Sequence, residues 1–286
     1  MRQESFFLPK RQLNFYGKLF SIEIPWVMGI INITPDSFFD GGRYQEKTAM
    51  LKQAEKMLSE GADILDIGAM SSRPGAKIIA AEEEKQRLLP ALQSLRKTFP
   101  KAILSVDTFR SEIAREAVDN GAGMINDISG GTMDELMFRT VAELNVPYVL
   151  MHMQGTPQNM QKNPQYNDVT LEVGAFFAHQ LQKLKLLGVK DVILDPGLGF
   201  GKTPDHNFRL LKELHHFKIF ELPLLLGLSR KSMLKKLLGT SPQNALNGTT
   251  ALNVIALERG AAILRVHDVK EAKQAVHVVE KLHRDD

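Results

Sequence analysis

The chain contains no cysteine. That excludes a disulfide framework, a thiol nucleophile, and zinc or iron-sulfur ligation through sulfur. A strong charge of either sign is missing too: 36 Lys plus Arg against 33 Asp plus Glu give a formal net charge of +3. Bulk electrostatics therefore point to no nucleic-acid or polyanion partner, although a local basic site remains open. No run of about 18 uninterrupted apolar residues occurs, and the start, MRQESFFLPKRQLNF, breaks its apolar run at Pro9-Lys10-Arg11. Internal repeats, low-complexity tracts and Pro/Gly/Ser-rich linkers are absent as well. The expectation is a soluble, cytoplasmic protein with no membrane partner.

What is present is an ordinary globular composition, 43% hydrophobic and 24% charged over 286 residues. Length alone suggests two domains, but α/β barrels of about 250 residues form one unit. Short apolar runs recur at Val27 to Ile31, Ile64 to Ile67, Ala102 to Val106, Gly123 to Ile125, Tyr148 to Met151, Val192 to Leu194, Leu224 to Leu226 and Ile263 to Val266. Being apolar on consecutive residues, they read as parallel strands covered on both faces. Helical spacing fills the intervals: Met50 to Leu58, Leu88 to Leu95, Ile113 to Val118, Leu136 to Leu144, Leu171 to Leu187, Phe208 to Phe217, Ala245 to Leu257 and Val269 to Leu282.

This alternation predicts an α/β fold, a single (β/α)8 TIM barrel over residues 25–286, with a doubly wound open sheet as the other arrangement of the same elements. Residues 1–24 are expected to cover the barrel's bottom, with Leu13, Phe15, Leu19 and Ile22 in a short hairpin. Long loops are expected after strands 1 and 2, at Thr34 to Tyr44 and Ser71 to Lys77.

Barrel chemistry sits at the carboxyl ends of the strands. Polar residues fall there with regularity: Asn32, Asp66, Asp107, Asn126-Asp127, His152, Asp195, Ser229-Arg230-Lys231, then Arg265 and His267. Asp107, Asp127 and Asp195 read equally as helix N-caps. Lys231 and Arg265 are harder to place blandly, because a cation in a barrel mouth needs a carboxylate or an anionic ligand. His152 and His267 read equally as hydrogen-bonded supports for other side chains. The remaining histidines show no HExxH spacing, so a protein-built zinc site is not expected.

Asp107, Asn126, Asp195 and Lys231 suit a flat heterocycle bearing amino and carbonyl groups. Arg73, Arg265, His267 and Asn32 are then left for an anion or its magnesium ion. The segment Gly197 to Thr203 is no P-loop, since Pro196 occupies the position of that motif's first glycine. Its glycines predict a tight turn close to the ligand, with Phe200 as an apolar wall.

In order along the chain stand MGIINITPDSFFDGG, SSRPGA, SVDTFR, INDISGG, MHMQGTP, LDPGLGFGK, GLSRKSM and RVHD. Taken together they resemble the dihydropteroate synthases of the pterin-binding enzyme family, over Val27 to Val269. The resemblance implies a transferase of folate biosynthesis that joins 6-hydroxymethyl-7,8-dihydropterin pyrophosphate to 4-aminobenzoate. It implies catalytic roles for Asp107, Asp195, Lys231, Arg265 and His267, and a pterin pocket of Asp107, Asn126, Met151, Asp195, Gly227 and Lys231. Asn32, Arg265 and His267 would hold the pyrophosphate, with Asn32 linked to Mg2+. Phe38, Ser72, Arg73, Pro74, Phe200, Ser229 and Lys231 would form the 4-aminobenzoate pocket, which makes sulfonamides the implied inhibitors. A homodimer built through late helices is also implied.

Two departures from the family pattern stand out. Ala69-Met70-Ser71-Ser72 precedes Arg73 where an acidic residue and Ser-Thr are usual, and Phe39 replaces a more usual serine. Rival readings are a pterin-binding methyltransferase domain, disfavoured by the Arg73-Pro74-Gly75 and Ser229-Arg230-Lys231 segments, and a catalytically silent barrel that serves a partner.

Overall fold

Each apolar run becomes a short strand whose two faces are both covered. The computed structural model describes residues 12–33, 42–71, 75–239, 241 and 244–283, without the side chains of 42–46 and 235. An N-terminal hairpin, β1 (Gln12–Phe15) and β2 (Lys18–Ser21), precedes β3 (Trp26–Asn32), α1 (Gly42–Ser59), β4 (Ile64–Gly68), α2 (Ala81–Thr98), β5 (Ile103–Asp107), α3 (Ser111–Asp119) and β6 (Met124–Asp127). Then come α4 (Met137–Leu144), β7 (Tyr148–Met151), α5 (Val169–Leu186), β8 (Val192–Asp195), α6 (Pro204–Lys212) and a 3-10 helix (Leu214–Phe220). The chain closes with β9 (Leu225–Leu226), α7 (Ser232–Leu238), α8 (Leu246–Glu258), β10 (Ile263–Val266) and α9 (Val269–His283).

The eight strands β3 to β10 pair in the order β8-β7-β6-β5-β4-β3-β10-β9, every pair parallel. Leu194 bridges Leu224 and its N–H donates to the Pro223 carbonyl at 2.9 Å, which joins β8 to the start of β9. The architecture is a (β/α)8 barrel.

Strand periodicity divides its side chains into layers. Val27, Ile31, Leu65, Ile67, Leu104 and Val106 face outward and join the helices in one apolar cluster. Met28, Ile64, Ile103, Met124, Val149, Ile193, Leu225 and Ile263 cluster inside the barrel with Leu13, Phe15 and Ile22 of the hairpin. Two residues further along the same strands, Asp66, Asn126, Asp195 and Arg265 must also face inward. The polar mouth is thus a consequence of register.

The hairpin turns at Tyr16-Gly17, both with positive φ (54° and 77°), as a two-residue turn between strands requires. Phe15, Phe20 and Trp26 pack ring against ring, with centroids 5.6 to 6.3 Å apart. The Tyr16 hydroxyl accepts from the Leu104 N–H at 3.2 Å. Leu19 departs from expectation: it is 67% exposed, because it pairs with Asn14 on the face opposite Leu13 and Phe15.

Three other differences have local causes. The helix expected over Phe208 to Phe217 is two elements. Thr203 caps α6 in a capping box with Pro204 in its first turn, and the chain then tightens into the 3-10 helix after Glu213. α7, unrecognised in the sequence, follows Lys231. α1 begins at Gly42, so it takes over the end of the first expected loop; residues 34–41 and 72–74 of the two loops lie outside the described residues. No helix among the described residues is long and apolar enough to cross a membrane.

Candidate active site

Arg265 organises the mouth. From β10 its Nε donates to Asp66 Oδ2 at 2.6 Å, and its Nη2 donates to Asp107 Oδ2 at 2.8 Å. The Asn126 amide donates to the same Asp66 oxygen at 3.0 Å. Strands β4, β5, β6 and β10 therefore converge on one guanidinium. Asp66 is fully buried. A buried carboxylate of that kind persists only when paired.

Burial is the first influence on Asp107, Asp195, Lys231 and Arg265. It pushes Asp107 up to about 7, against the pull of Arg265 and together with the repulsion of Asp66. Asp195 is raised by burial too, opposed by the Gly197 N–H that donates to its Oδ1 at 2.7 Å and by nearby Lys231. Lys231 is pushed down to about 8 by burial, with Asp195 pulling the other way. For Arg265 burial is outweighed by Asp66 and Asp107, and its value rises. Asp107 and Lys231 thus titrate close to neutral pH, a balance that ligand binding can tip.

His267 lies 3.0 Å from Ser229 through its Nδ1, and its own N–H donates to the Ser229 hydroxyl oxygen at 3.3 Å. When the hydroxyl donates to Nδ1, the neutral ring carries its N–H on Nε2. Burial, then Arg230 and Arg265, push His267 down to about 4, so it is neutral at pH 7. It can donate to an anion but brings no positive charge.

The Lys231 ammonium sits 4.4 Å from the centroid of Phe200. Phe200, Met151, Phe109, Ile128, Met153 and Met160 form a separate small apolar cluster, against which Met70 packs. Met70, where the family pattern is acidic, thus extends an apolar wall. A Cβ on Gly227 would meet nothing within 4 Å, so that position opens onto free space. Asn32 ends β3 beside Gly68 and is half-buried.

Several assignments shift. Asp107, Asp127 and Asp195 are not N-caps; α3 is preceded by Arg110, α4 by Leu136, and α6 is capped by Thr203. Asp127 instead closes its own turn, accepting from Ser129, Gly131 and the Tyr148 hydroxyl. The glycines of residues 197–201 make the expected tight turn, with φ of 66°, 86° and 62°, and pack it against the chain itself. A Cβ on Gly197 would lie 1.9 Å from the His152 carbonyl oxygen, and one on Gly201 2.5 Å from that of Gln154. Phe38, Phe39, Ser72, Arg73 and Pro74 lie outside the described residues. Asp66 and Lys202 were given no role from sequence, and both are central: Asp66 is legible as the residue two places after inward-facing Ile64.

Known proteins resemble this chain over nearly its whole length. Residues 28–267 match the family described as pterin binding enzyme. The chain is 44% identical over 266 residues to the dihydropteroate synthase of Escherichia coli K12, covering 92% of this chain and 94% of that protein. The Yersinia pestis dihydropteroate synthase, solved with a sulfonamide drug, superposes with a TM-score of 0.89 at 42% identity, over 95% of this chain and 99% of that one. The Xanthomonas albilineans enzyme, solved with 4-aminobenzoic acid, gives a TM-score of 0.90 at 38% identity, over 97% and 100%.

The chain belongs to the pterin-binding enzyme family. Within that family its kinship is with the dihydropteroate synthases, and it is a transferase.

Proposed function

We propose that this protein condenses 6-hydroxymethyl-7,8-dihydropterin pyrophosphate with 4-aminobenzoate, giving 7,8-dihydropteroate and pyrophosphate. The observation that carries the reading is the Arg265 bridge between Asp66 and Asp107, set beside Asn126, Asp195 and Lys231.

The heterocycle binds by its hydrogen-bonding edges. Asp107 and Asp195 accept from ring and exocyclic N–H groups, Asn126 both donates and accepts, and Lys231 donates to a carbonyl or ring nitrogen. Met151 and the open position at Gly227 shape the walls. The diphosphate lies toward Arg265, the Nε2–H of His267, and Asn32.

An aniline nitrogen is a weak nucleophile, so the carbon-oxygen bond to the diphosphate breaks early and its electron pair leaves with the anion. The positive charge spreads over the pterin. The amine then supplies the pair for the new carbon-nitrogen bond and loses a proton as the product forms. Arg265 favours the departing anion, and ionised Asp107 and Asp195 favour the pterin cation. Each interaction strengthens as charge develops. The 4-aminobenzoate is placed against Phe200 and Lys231, with Ser229 at the rim and Phe38, Ser72, Arg73 and Pro74 contributed by the loops. Sulfonamides compete for that position. Loops closing over bound substrates would keep water from capturing the cation.

Magnesium fits as a companion of the diphosphate. No group of three His, Cys, Asp or Glu able to hold a metal occurs among the described residues. A magnesium ion needs only one or two protein oxygens when a phosphate supplies others, and Asn32 offers one. When bound, the ion would neutralise charge on the leaving group.

The test is formation of labelled dihydropteroate from the two substrates with magnesium, with pyrophosphate released only when both are present. A protein that binds the pterin pyrophosphate but makes no dihydropteroate is the silent barrel instead. The same reading places the protein in the cytoplasm as a homodimer built on late helices, where Ile255 and Val278 are exposed. Sedimentation at a single-chain mass removes the dimer.

A further inference from the structure

Lys202 is a buried lysine that the reaction leaves unused, its ammonium pushed down to about 7 by burial against the pull of Asp195. It is only 2% exposed, in the loop after β8. Its ammonium donates to Gly197 O and Phe200 O, each at 3.0 Å, to His152 O at 3.3 Å, and to His152 Nδ1 at 2.9 Å. An ammonium has three N–H groups, so these four acceptors saturate it. Burying an ammonium costs several kcal/mol, and only such a cage offsets it.

The cage joins two strand ends. His152 follows β7, whereas Gly197 and Phe200 belong to the loop that follows β8. The loop is stitched to its surroundings at further points: the Gly199 N–H donates to Asn207 Oδ1 at 2.7 Å, and the Tyr166 hydroxyl donates to Gly201 O at 2.8 Å. Lys202 also binds the carbonyl of Phe200 itself. Since that carbonyl and the Phe200 ring share one Cα, fixing the first limits where the ring can lie. The ring in turn sits under Lys231.

Lys202 also fixes His152. Because an ammonium donates to Nδ1, the ring carries its hydrogen on Nε2, and burial with the Lys202 charge pushes His152 down to about 2. The ring packs edge-on against Phe176, at 5.0 Å between centroids. It is a neutral strut and no proton carrier.

We propose that Lys202 is a positioning residue for the aromatic amine substrate: its ammonium ties the β7 and β8 ends together so that Phe200 is held beneath Lys231 as one wall of the 4-aminobenzoate subsite. The proposal rests on the function argued above for that subsite.

The experiment compares Lys202→Met, Phe200→Ala and the double variant with the wild-type protein. Lys202→Met is expected to raise KM for 4-aminobenzoate about tenfold, the loss that follows from removing hydrogen bonds to one cation. KM for the pterin pyrophosphate moves far less. In the Phe200→Ala background Lys202→Met adds little, since it acts through the missing ring. Equal rises in both KM values, or a full tenfold rise on top of Phe200→Ala, overturn the proposal. Lys202→Gln, which keeps a donor, carries the same comparison if the Met variant does not fold. A crystal structure of either variant separates this proposal from the functional reading. If the wild-type protein makes no dihydropteroate, the functional reading fails. The positioning proposal itself fails if the Phe200 ring keeps its place beneath Lys231 without Lys202.

Discussion

Arg265 and Asp66 meet across β3. The guanidinium on β10 passes the intervening strand to reach a fully buried carboxylate on β4, at 2.6 Å, before its other nitrogen reaches Asp107. Asp66 therefore sets where the positive charge of the mouth stands, and on the proposed reading the rest of Arg265 serves the diphosphate.

The consequence is tested by Asp66→Asn. Breaking a buried pair by removing one partner destabilises by about 3 kcal/mol, because Arg265 keeps a single carboxylate. Denaturant titration should show that loss. Activity should fall by more than stability accounts for, about a hundredfold in kcat, the scale of removing one preorganised charge contact. A variant as active as the parent would show that Arg265 needs no support from β4.

A second prediction concerns pH. Asp107 sits at about 7, above its ordinary 3.8, because it is buried. Folding thus favours its protonated form, so its contribution to stability is complete below about pH 4 and is lost as pH rises to 7. Asp107→Asn should gain in Tm relative to the wild-type protein at pH 8 and show no such gain at pH 4. Catalysis runs the other way, since the ionised carboxylate is the form that serves the pterin cation. The value of kcat/KM for the pterin pyrophosphate should climb with pH through about 7. A flat profile across pH 6 to 8 would remove Asp107 from that role.

Much of the fold and of the mouth is legible in the sequence, and the remainder is hidden for physical reasons. All eight barrel strands show as apolar runs because both of their faces are buried. Asp107, Asn126, Asp195, Lys231 and Arg265 show as polar residues where those runs stop. Asp66 was visible but unassigned, since only the period of two from Ile64 turns it inward. Leu19 misled because apolar character does not reveal on which face of a two-stranded ribbon a residue lies. Lys202 was hidden more deeply: three of its partners are backbone carbonyls, which no side-chain pattern encodes. α7 is seven residues long and spans too little chain to display helical spacing.

On the reading from resemblance, Arg73→Ala should raise KM for 4-aminobenzoate about tenfold or more while leaving pterin binding nearly unchanged. Lys231→Ala should weaken both, because Lys231 stands between Asp195 and the Phe200 ring. Calorimetric titration with each substrate alone separates the two effects. Unchanged 4-aminobenzoate kinetics in Arg73→Ala would take that residue out of the subsite.

The far end of the barrel should matter for stability and not for chemistry. Phe15 is fully buried among Met28, Ile64 and their neighbours beneath the hairpin. Phe15→Ala should cost about 3 to 5 kcal/mol in denaturant unfolding. At temperatures where the variant is folded, kcat should match the parent.

The most direct measurement is a crystal structure with the pterin pyrophosphate and magnesium bound. The account predicts the heterocycle edge on Asp107, Asn126, Asp195 and Lys231, with the diphosphate on Arg265, His267 and Asn32. A pterin bound away from those strand ends, or a diphosphate with no contact to Arg265, would contradict it.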